Sequence, residues 1–151
     1  MFSVRPATFA DMDTLLQFEQ GVIEAERAFD PTIKPHPAKY YDLELMITVP
    51  HIHLVVAEFD GAPIGCGYAR IQDSKLFLTP PQHSYLGFMY VLPEYRGNGV
   101  NNIIIQALKD WSAQKGITEL QLEVYYHNDA AIKAYEKAGF SRSLIQMRME
   151  L

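Results

Sequence analysis

A glycine-rich turn in the middle of the chain constrains the fold more than any other segment. The apolar run Tyr85–Leu92 before it predicts a buried strand, and the apolar stripe after Gly99 predicts a helix that ends near Lys115. Glycines at 97 and 99 allow backbone N–H groups to converge on a ligand, and a helix N-terminus adds partial positive charge there. The segment therefore predicts a strand, a turn and a helix. The turn is either a phosphate cradle or an ordinary reversal of the chain.

Two common nucleotide-binding motifs do not fit this turn. A P-loop requires glycine, four residues, then Gly-Lys followed by Ser or Thr, and no such run is present. A dinucleotide-binding turn requires a third glycine at position 102, where this chain has Asn102. Both classes are excluded.

The rest of the chain predicts alternating strands and helices in one domain, residues 1–151, since a single core serves chains up to ~250 residues. Asp60-Gly61 between two apolar runs is a strong hairpin signal, and the proline-dense residues 30–37 predict a surface loop. Further strands are predicted at Phe2–Pro6, Ile52–Phe59, Ala62–Gln72, Ile117–Val124 and Phe140–Leu151. Further helices are predicted from Thr8 to about Ile23, over Ala38–Val49 and over Asn128–Lys137.

Composition removes several functional classes. Lys and Arg number 13 against 18 acidic residues, a net charge of −5, which argues against a nucleic-acid partner. No segment has the ~20 apolar residues of a membrane span and the N-terminus does not resemble a signal peptide, so we expect a cytoplasmic protein without a membrane partner. A single cysteine, Cys66, excludes an internal disulfide and a cysteine-based zinc cluster. We expect no metal, and Cys66 as a core residue.

A second segment indicates which of these two interpretations of the glycine-rich turn applies. Residues 123–140 include the run Tyr125-Tyr126-His127-Asn128-Asp129-Ala130 and the run Tyr135-Glu136-Lys137-Ala138-Gly139-Phe140. Together with Val91-x-Pro93-x-Tyr95-Arg96-Gly97-x-Gly99, this segment resembles the GCN5-related N-acetyltransferase (GNAT) superfamily. The resemblance implies an α/β (α+β) domain with a mixed, mostly antiparallel sheet and about four helices. A splayed pair of parallel strands, ending near Val91 and Val124, would hold acyl-CoA.

The resemblance also implies which residues bind acetyl-CoA. The pantetheine arm would pair with the backbone of Tyr90, Val91 and Leu92, as an added strand does. Asn128 would hydrogen-bond the pantetheine, and it can also cap the last helix. The pyrophosphate would lie over the amides of Arg96, Gly97, Asn98, Gly99, Val100 and Asn101. Asn101 departs from the family, which has Gly or Ala at this position, so we expect altered contacts there and not lost binding.

The implied reaction is direct transfer of the acetyl group from the thioester to an amine. A backbone N–H near Val91 would stabilise the oxyanion. Tyr135 would act as general acid, because a phenol with a pKa of ~10 stays protonated at neutral pH. The alternative is that Tyr135 only packs beneath the cofactor. The general base stays open among Glu123, Tyr85 and Glu26, since Tyr85–Tyr90 contains no carboxylate.

The leading hypothesis is an acetyl-CoA-dependent N-acetyltransferase acting on a primary amine of a small molecule, peptide or protein. Two alternatives remain open: the same fold using another acyl-CoA or an alcohol acceptor, and a non-catalytic acyl-CoA sensor. Acidic residues outnumber basic ones between positions 19 and 44, which favours a cationic acceptor or simply a solvated helix face. The acceptor, the acyl-chain preference and the oligomeric state, a homodimer included, are not readable from the sequence.

Overall fold

A computed structural model describes residues 1–151, with five strands and four helices. Two single-turn 3₁₀ helices, Phe9–Asp11 and Pro93–Tyr95, precede the first and third helices. The elements are β1 (Phe2–Pro6), α1 (Met12–Arg27), α2 (Leu43–Thr48), β2 (Ile52–Phe59), β3 (Ala62–Asp73), β4 (Gln82–Val91), α3 (Val100–Gln114), β5 (Leu120–Leu122) and α4 (Asp129–Lys137). None of the helices is long and apolar enough to cross a lipid bilayer.

The five strands form one sheet in the order β1-β2-β3-β4-β5. Neighbours among the first four strands are antiparallel, whereas β4 and β5 run parallel. The predicted mixed, mostly antiparallel sheet with a parallel strand pair is therefore confirmed. Asp60 and Gly61, with φ of 49° and 84°, make the tight turn that the sequence predicted between β2 and β3.

Helices cover both faces of the sheet, and alternate residues of each strand supply the two cores. In β2, Leu54 and Val56 pack with α1 and α2, while Val55 and Ala57 pack with α3 on the opposite face. Cys66 belongs to the first core, where it is fully buried and its thiol donates to the Phe88 carbonyl at 3.4 Å. Burial raises the pKa of the Cys66 thiol well above its usual value, which suits a core residue and not a nucleophile.

The second helix begins later than the predicted Ala38–Val49. The backbone N–H groups of Tyr40 and Tyr41 donate to the buried carboxylate of Glu19, at 3.0 and 2.8 Å, and this contact holds the chain in a non-helical path. Asp42 then caps α2 by accepting a hydrogen bond from the Leu45 amide at 3.1 Å. The Glu19 contact explains why the helix covers only Leu43–Thr48.

Two predicted strands at the end of the sheet are shorter or missing. The expected strand Ile117–Val124 is reduced to Leu120–Leu122, and the expected strand Phe140–Leu151 does not form in this chain. An alternating pattern predicts a strand, but a strand also requires a neighbour with which to pair. No further strand pairs with the outer edge of β5.

Candidate active site

Strand β4 contains a β-bulge near its middle. Tyr68 of β3 faces Gly87, and Cys66 faces Tyr90, so two steps along β3 match three steps along β4. The extra residue lies at Phe88, whose φ of 53° is unusual for a residue with a Cβ. A bulge bends its strand and increases the local twist. The second half of β4 therefore runs in a different direction from the first half.

Beyond this bulge one edge of β4 has no neighbouring strand. Parallel pairing with β5 ends at the Leu86–Leu122 pair, so the two strands separate after it. The Leu92 amide donates to the Ile64 carbonyl of β3 at 2.8 Å. Because successive residues of an antiparallel strand direct their peptide groups to opposite edges, the N–H and C=O of Val91 face the opening beside β5. An extended ligand can pair with this edge as an added strand does.

Arg96 lies across the same edge. Its Nε donates to the Val91 carbonyl at 2.9 Å, and its guanidinium stands 5.7 Å from the ring centroid of Tyr90. The Tyr90 ring packs in turn against Phe18 of α1, with centroids 5.1 Å apart. Because a carbonyl oxygen has two acceptor sites, a ligand can pair with the Val91 carbonyl either beside the Arg96 side chain or in its place.

The glycine-rich turn has the geometry of an anion cradle. Gly97 and Gly99 adopt φ of 80° and 78°, and a Cβ built on either would have no atom within 4 Å. These glycines are thus required by the backbone conformation and not by tight packing. The Asn98 amide holds the turn by donating to the carbonyls of Tyr95, at 3.0 Å, and Arg96, at 3.3 Å.

Helix α3 begins directly after this turn, with Gly99 as its N-cap. Its first turn has no acidic residue, so no carboxylate competes for the unpaired N–H groups at its start. Val100 is buried and anchors the turn in the core, while Asn101 is half-exposed. The six predicted pyrophosphate residues, Arg96–Asn101, are therefore brought together at one helix N-terminus.

Helix α4 carries the other two predicted site residues. The Asn128 side-chain oxygen accepts a hydrogen bond from the Ala131 amide at 3.3 Å, which is the predicted cap. Tyr135 is half-buried, and its ring meets Phe140 edge to face at 5.9 Å. Burial, followed by the negative charge of Glu26, raises the pKa of Tyr135 to about 12. The phenol consequently keeps its proton throughout the physiological range.

Two carboxylates, one in the last turn of α1 and one just beyond that helix, have opposite pKa shifts. Burial raises the pKa of the half-buried Glu26, a hydrogen bond from the Tyr40 hydroxyl partly opposes this, and the charge of nearby Asp30 raises it. The pKa of Asp30 is held far below its usual range by hydrogen bonds from Thr32, and by Arg148 and Tyr125, both at 3.1 Å. Opposite shifts in neighbouring carboxylates separate their roles. Asp30 is a fixed anion, whereas Glu26 has an increased affinity for a proton.

Most of the acidic excess in the first two helices has a structural use. Glu19 is buried beneath the amides that precede α2, and Asp42 caps that helix. Glu24 contacts Arg27 at 3.3 Å and His36 at 3.1 Å. The charge of Glu26 instead adds to the effect of burial, which raises the pKa of Tyr40, Tyr125 and Tyr135.

The other two candidates for the general base are Tyr85 and Glu123. Tyr85 lies on β4, and it faces Glu123, the residue that directly follows β5. Burial raises the pKa of Tyr85, and the charge of Glu123 adds to this effect. The Arg70 guanidinium stands 5.5 Å from the Tyr85 ring centroid and opposes the shift. A phenol with a raised pKa is a poor base, so Tyr85 is suited only to relaying a proton through water.

The contacts of Asp30 with Tyr125 and Arg148 were not predicted. They join residues that lie 95 or more positions apart in sequence, and no local pattern indicates such pairs. Only the local contact of Asp30 has a sequence signal. Asp-Pro-Thr at 30–32 is typical of a turn in which the Asp side chain accepts a hydrogen bond from the N–H two residues on. Here the Thr32 N–H donates to the Asp30 carboxylate at 3.0 Å.

Comparison with known proteins identifies the group to which this chain belongs. The profile of the acetyltransferase (GNAT) family matches residues 20–140. N-alpha-acetyltransferase RimI of Mycobacterium tuberculosis is 35% identical over 114 residues, 76% of this chain and 66% of its own length. Thialysine N-epsilon-acetyltransferase of Bos taurus is 32% identical over 144 residues, 90% of this chain and 82% of its own length.

A solved structure shares the fold. The aminoglycoside acetyltransferase AAC(6')-Iy, in complex with the bisubstrate analogue CoA-S-monomethyl-acetylneamine, superimposes with a TM-score of 0.74 and 23% identity over 100% of this chain and 99% of its own. The chain belongs to the acetyltransferase (GNAT) family, and its mixed sheet with a parallel β4–β5 pair has the architecture of that fold. It spans slightly less than two thirds of RimI, the first of the curated relatives it matches, and about half or less of the next two.

Proposed function

We propose that the chain is an acetyl-CoA-dependent N-acetyltransferase that moves an acetyl group directly from the thioester to a primary amine. The observation that carries the proposal is the free edge of β4 at Val91, which adjoins the anion cradle at the start of α3. This arrangement suits a ligand that has both an amide-rich arm and a pyrophosphate, as coenzyme A does. The relatives named for acetyl transfer support the same reaction.

In this proposal the chain binds acetyl-CoA at three places. The backbone of Tyr90, Val91 and Leu92 pairs with the pantetheine amides, and Asn128 contacts the same arm with the amide nitrogen that its capping role leaves free. The backbone amides from Arg96 to Asn101 bind the pyrophosphate. The Asn101 side chain can donate to a phosphate oxygen, so it replaces close backbone approach with a side-chain contact.

The chemical step needs one oxyanion donor, one acid and one base. The amine nitrogen attacks the thioester carbonyl carbon, and the Val91 N–H stabilises the oxyanion that develops. Collapse breaks the carbon–sulfur bond, and Tyr135 gives its proton to the departing thiolate. Its raised pKa keeps that proton available at neutral pH.

We assign the base to Glu26. Its carboxylate has a raised pKa, and its charge is felt by Tyr135, which links the two groups electrostatically. A carboxylate with a raised pKa accepts a proton from an ammonium more readily than an ordinary one. The same negative charge favours a cationic amine at the site. The three acetyl acceptors in the names of the relatives differ, so the proposal stops at a primary amine.

The Glu26→Gln variant tests this assignment. As pH rises, the base becomes active when Glu26 loses its proton, above its ordinary pKa because the shift is upward. We expect kcat/KM to fall roughly 10²-fold at pH 7. The loss should shrink as pH approaches the pKa of the amine, ~10 for a lysine-like group, because neutral amine is then supplied by the solvent.

Glu24→Gln is the matched control, since Glu24 lies on the same helix and its own side chain is 54% exposed. It should leave the rate unchanged. Equal rates in both variants at every pH would remove Glu26 from the reaction. Release of free thiol from acetyl-CoA with a panel of amines is the measurement. Binding of acetyl-CoA without thiol release from any amine would instead support the acyl-CoA sensor.

A further inference from the structure

Arg70 of β3 is a cation that has no carboxylate partner in the chain. Four of the six arginines make an ion pair, and the other two are Arg96, in the proposed cradle, and Arg70. The one hydrogen bond that the Arg70 side chain makes runs from its Nε to the Gln72 side-chain oxygen at 3.3 Å. The N–H groups of its two terminal nitrogens are therefore available to bind an anion.

Two tyrosine rings hold this guanidinium in place. It stands 5.6 Å from the ring centroid of Tyr68 and 5.5 Å from that of Tyr85, which is the direct partner of Arg70 in the pairing of β3 with β4. Arg70 is half-buried, and its terminal nitrogens reach solvent. An arginine that is already stacked on aromatic rings loses little further freedom when it binds a ligand, and its planar fork matches the two oxygens of a carboxylate.

The same rings connect Arg70 with the proposed base. Tyr68 and Tyr85 lie on the sheet face beneath α1 and α2, where Tyr41 also packs. The ring centroids are 6.4 Å apart for Tyr68 and Tyr85, and 6.0 Å apart for Tyr41 and Tyr68. Burial raises the pKa of Tyr41, and the negative charge of Glu26 is among the charges that add to this effect. The three rings thus form a tyrosine wall, with Glu26 near one end and Arg70 at the other.

The tyrosine wall lies next to the place where the parallel strands separate. Tyr85 directly precedes Leu86, the last residue of β4 that pairs with β5. Glu123 follows β5 here, and its charge adds to the effect of burial, which raises the pKa of Tyr85. Glu123 and Arg70 form no ion pair, so the fork of Arg70 stays accessible. A singly charged carboxylate suits this fork better than a doubly charged phosphate, which Glu123 repels more strongly.

We propose that Arg70 binds a carboxylate group of the acceptor, and that the substrate class is a primary amine that also carries a carboxylate. The reacting amine lies at the Glu26 end of the tyrosine wall, and the carboxylate accepts two parallel hydrogen bonds from the Arg70 fork. The opposite charges at the two ends of the wall orient the acceptor. This inference rests on the proposed acyl transfer for its reaction, whereas the carboxylate contact can be tested by binding alone.

Pairs of acceptors that differ only in the carboxylate test the proposal. The acid ε-aminocaproate and its amide have the same amine and the same chain length, but only the acid carries the negative charge. Shorter and longer ω-amino acids, each with its own amide, find the spacing that fits the site. Release of free thiol from acetyl-CoA is the readout. We expect the KM of the best acid to be at least about tenfold below that of its amide, because the amide loses the charged hydrogen bonds to Arg70.

Arg70→Gln should raise the KM of the acid about tenfold and leave its kcat, and both constants of the amide, unchanged. Arg70→Lys keeps the charge but not the fork, so the KM of the acid should lie between those of the wild-type chain and Arg70→Gln. Lys75→Gln is the matched control, since it removes one positive charge from the exposed loop between β3 and β4. It should keep the full preference for the acid. The thermal shift by acetyl-CoA shows that each variant is folded.

Equal KM values for acid and amide in the wild-type chain would overturn the proposal. An equal rise in the KM of acid and amide in Arg70→Gln would overturn it as well, since a purely structural role has that effect. Calorimetric binding of the acids in the presence of coenzyme A separates this inference from the proposed acyl transfer. Binding that Arg70→Gln weakens, without thiol release from any amine, would keep the carboxylate site and reject the transfer. Neither binding nor turnover of any acid in the series would reject the carboxylate site.

Discussion

The antiparallel part of the sheet and the parallel pair at its end differ in how completely they are paired. Strands β2 and β3 match residue for residue from Ile52–Arg70 to Phe59–Ala62, with one irregularity. Strands β4 and β5 share only three pairs, the last at Leu86–Leu122. The first part is covered by helices on both faces, whereas the second part ends at a free edge.

The fully paired strands stabilise the fold, whereas the incompletely paired strands form the proposed ligand site. The antiparallel strands gain their stability from complete ladders and from a core on each face. Strands β4 and β5 form only a short ladder of backbone hydrogen bonds. The peptide groups of Val91 therefore do not pair with β5 and can pair with a ligand. Variants in the core beneath the sheet should accordingly fail by unfolding, whereas variants at the open end of the parallel pair should fail by loss of turnover.

The largest effect is expected at Tyr135 of α4. Tyr135→Phe removes one hydroxyl and almost no volume, so folding and acetyl-CoA affinity should change little. If Tyr135 protonates the thiolate, kcat should fall ~10²–10⁴-fold, about 2.7–5.4 kcal/mol of barrier. The measurement is turnover at saturating acetyl-CoA, alongside calorimetric affinity for the cofactor.

The kinetic constant that changes decides between the two roles of Tyr135. A loss confined to kcat supports the acid, whereas a rise in KM alone indicates packing beneath the cofactor. Unchanged turnover in the phenylalanine variant would remove Tyr135 from the mechanism. Because its pKa is about 12, the wild-type rate should show no fall from deprotonation of this group below about pH 11.

The second effect compares two leucines that face each other across the strand pair. Leu86 of β4 is 1% exposed and packs in the core beneath α3, whereas Leu122 of β5 is only partly buried. Leu86→Ala should lower the free energy of unfolding by about 2–5 kcal/mol, and Leu122→Ala by about 1 kcal/mol. Chemical denaturation measures both. Equal losses would show that β5 contributes as much to the core as β4 does.

The same contrast determines what the sequence could predict. The hairpin β2–β3 was predicted to within one residue because its turn, Asp60-Gly61, and its apolar runs are local signals. Helix α3 was predicted from its apolar stripe after Gly99, and α4 was predicted from its capping residue Asn128 and the glycine that follows it, Gly139. The glycine-rich turn was predicted from the same kind of local pattern, and its role in binding pyrophosphate was inferred from the resemblance to a family.

The features that were not predicted depend on contacts between distant residues. The bulge at Phe88 reflects the register between β3 and β4, which no residue of β4 specifies alone. Strand β5 stops at Leu122 because β4 has turned away, although its own pattern continues to Val124. The late start of α2 depends on the buried Glu19 carboxylate, which lies on another helix.

The smallest effect is expected from the two glycines at the ends of α3. Gly99 and Gly116 have φ of 78° and 79°, and a Cβ at either position would meet no atom within 4 Å. Alanine at either site should therefore cost about 1 kcal/mol through backbone strain alone. That loss corresponds to a fall in Tm of roughly 2–4 °C.

Acetyl-CoA should distinguish these two variants, because only Gly99 lies in the proposed cradle. At 100 times its Kd the ligand is expected to stabilise the wild-type chain by ~2.7 kcal/mol. Gly116→Ala should keep this gain, since its strain lies at the far end of the helix. Gly99→Ala should lose part of it, because the added methyl group and the strained turn both disturb the amides that face the pyrophosphate. Thermal shift with and without acetyl-CoA measures the gain, and equal gains in the two variants would place the phosphates elsewhere than at the N-terminus of α3.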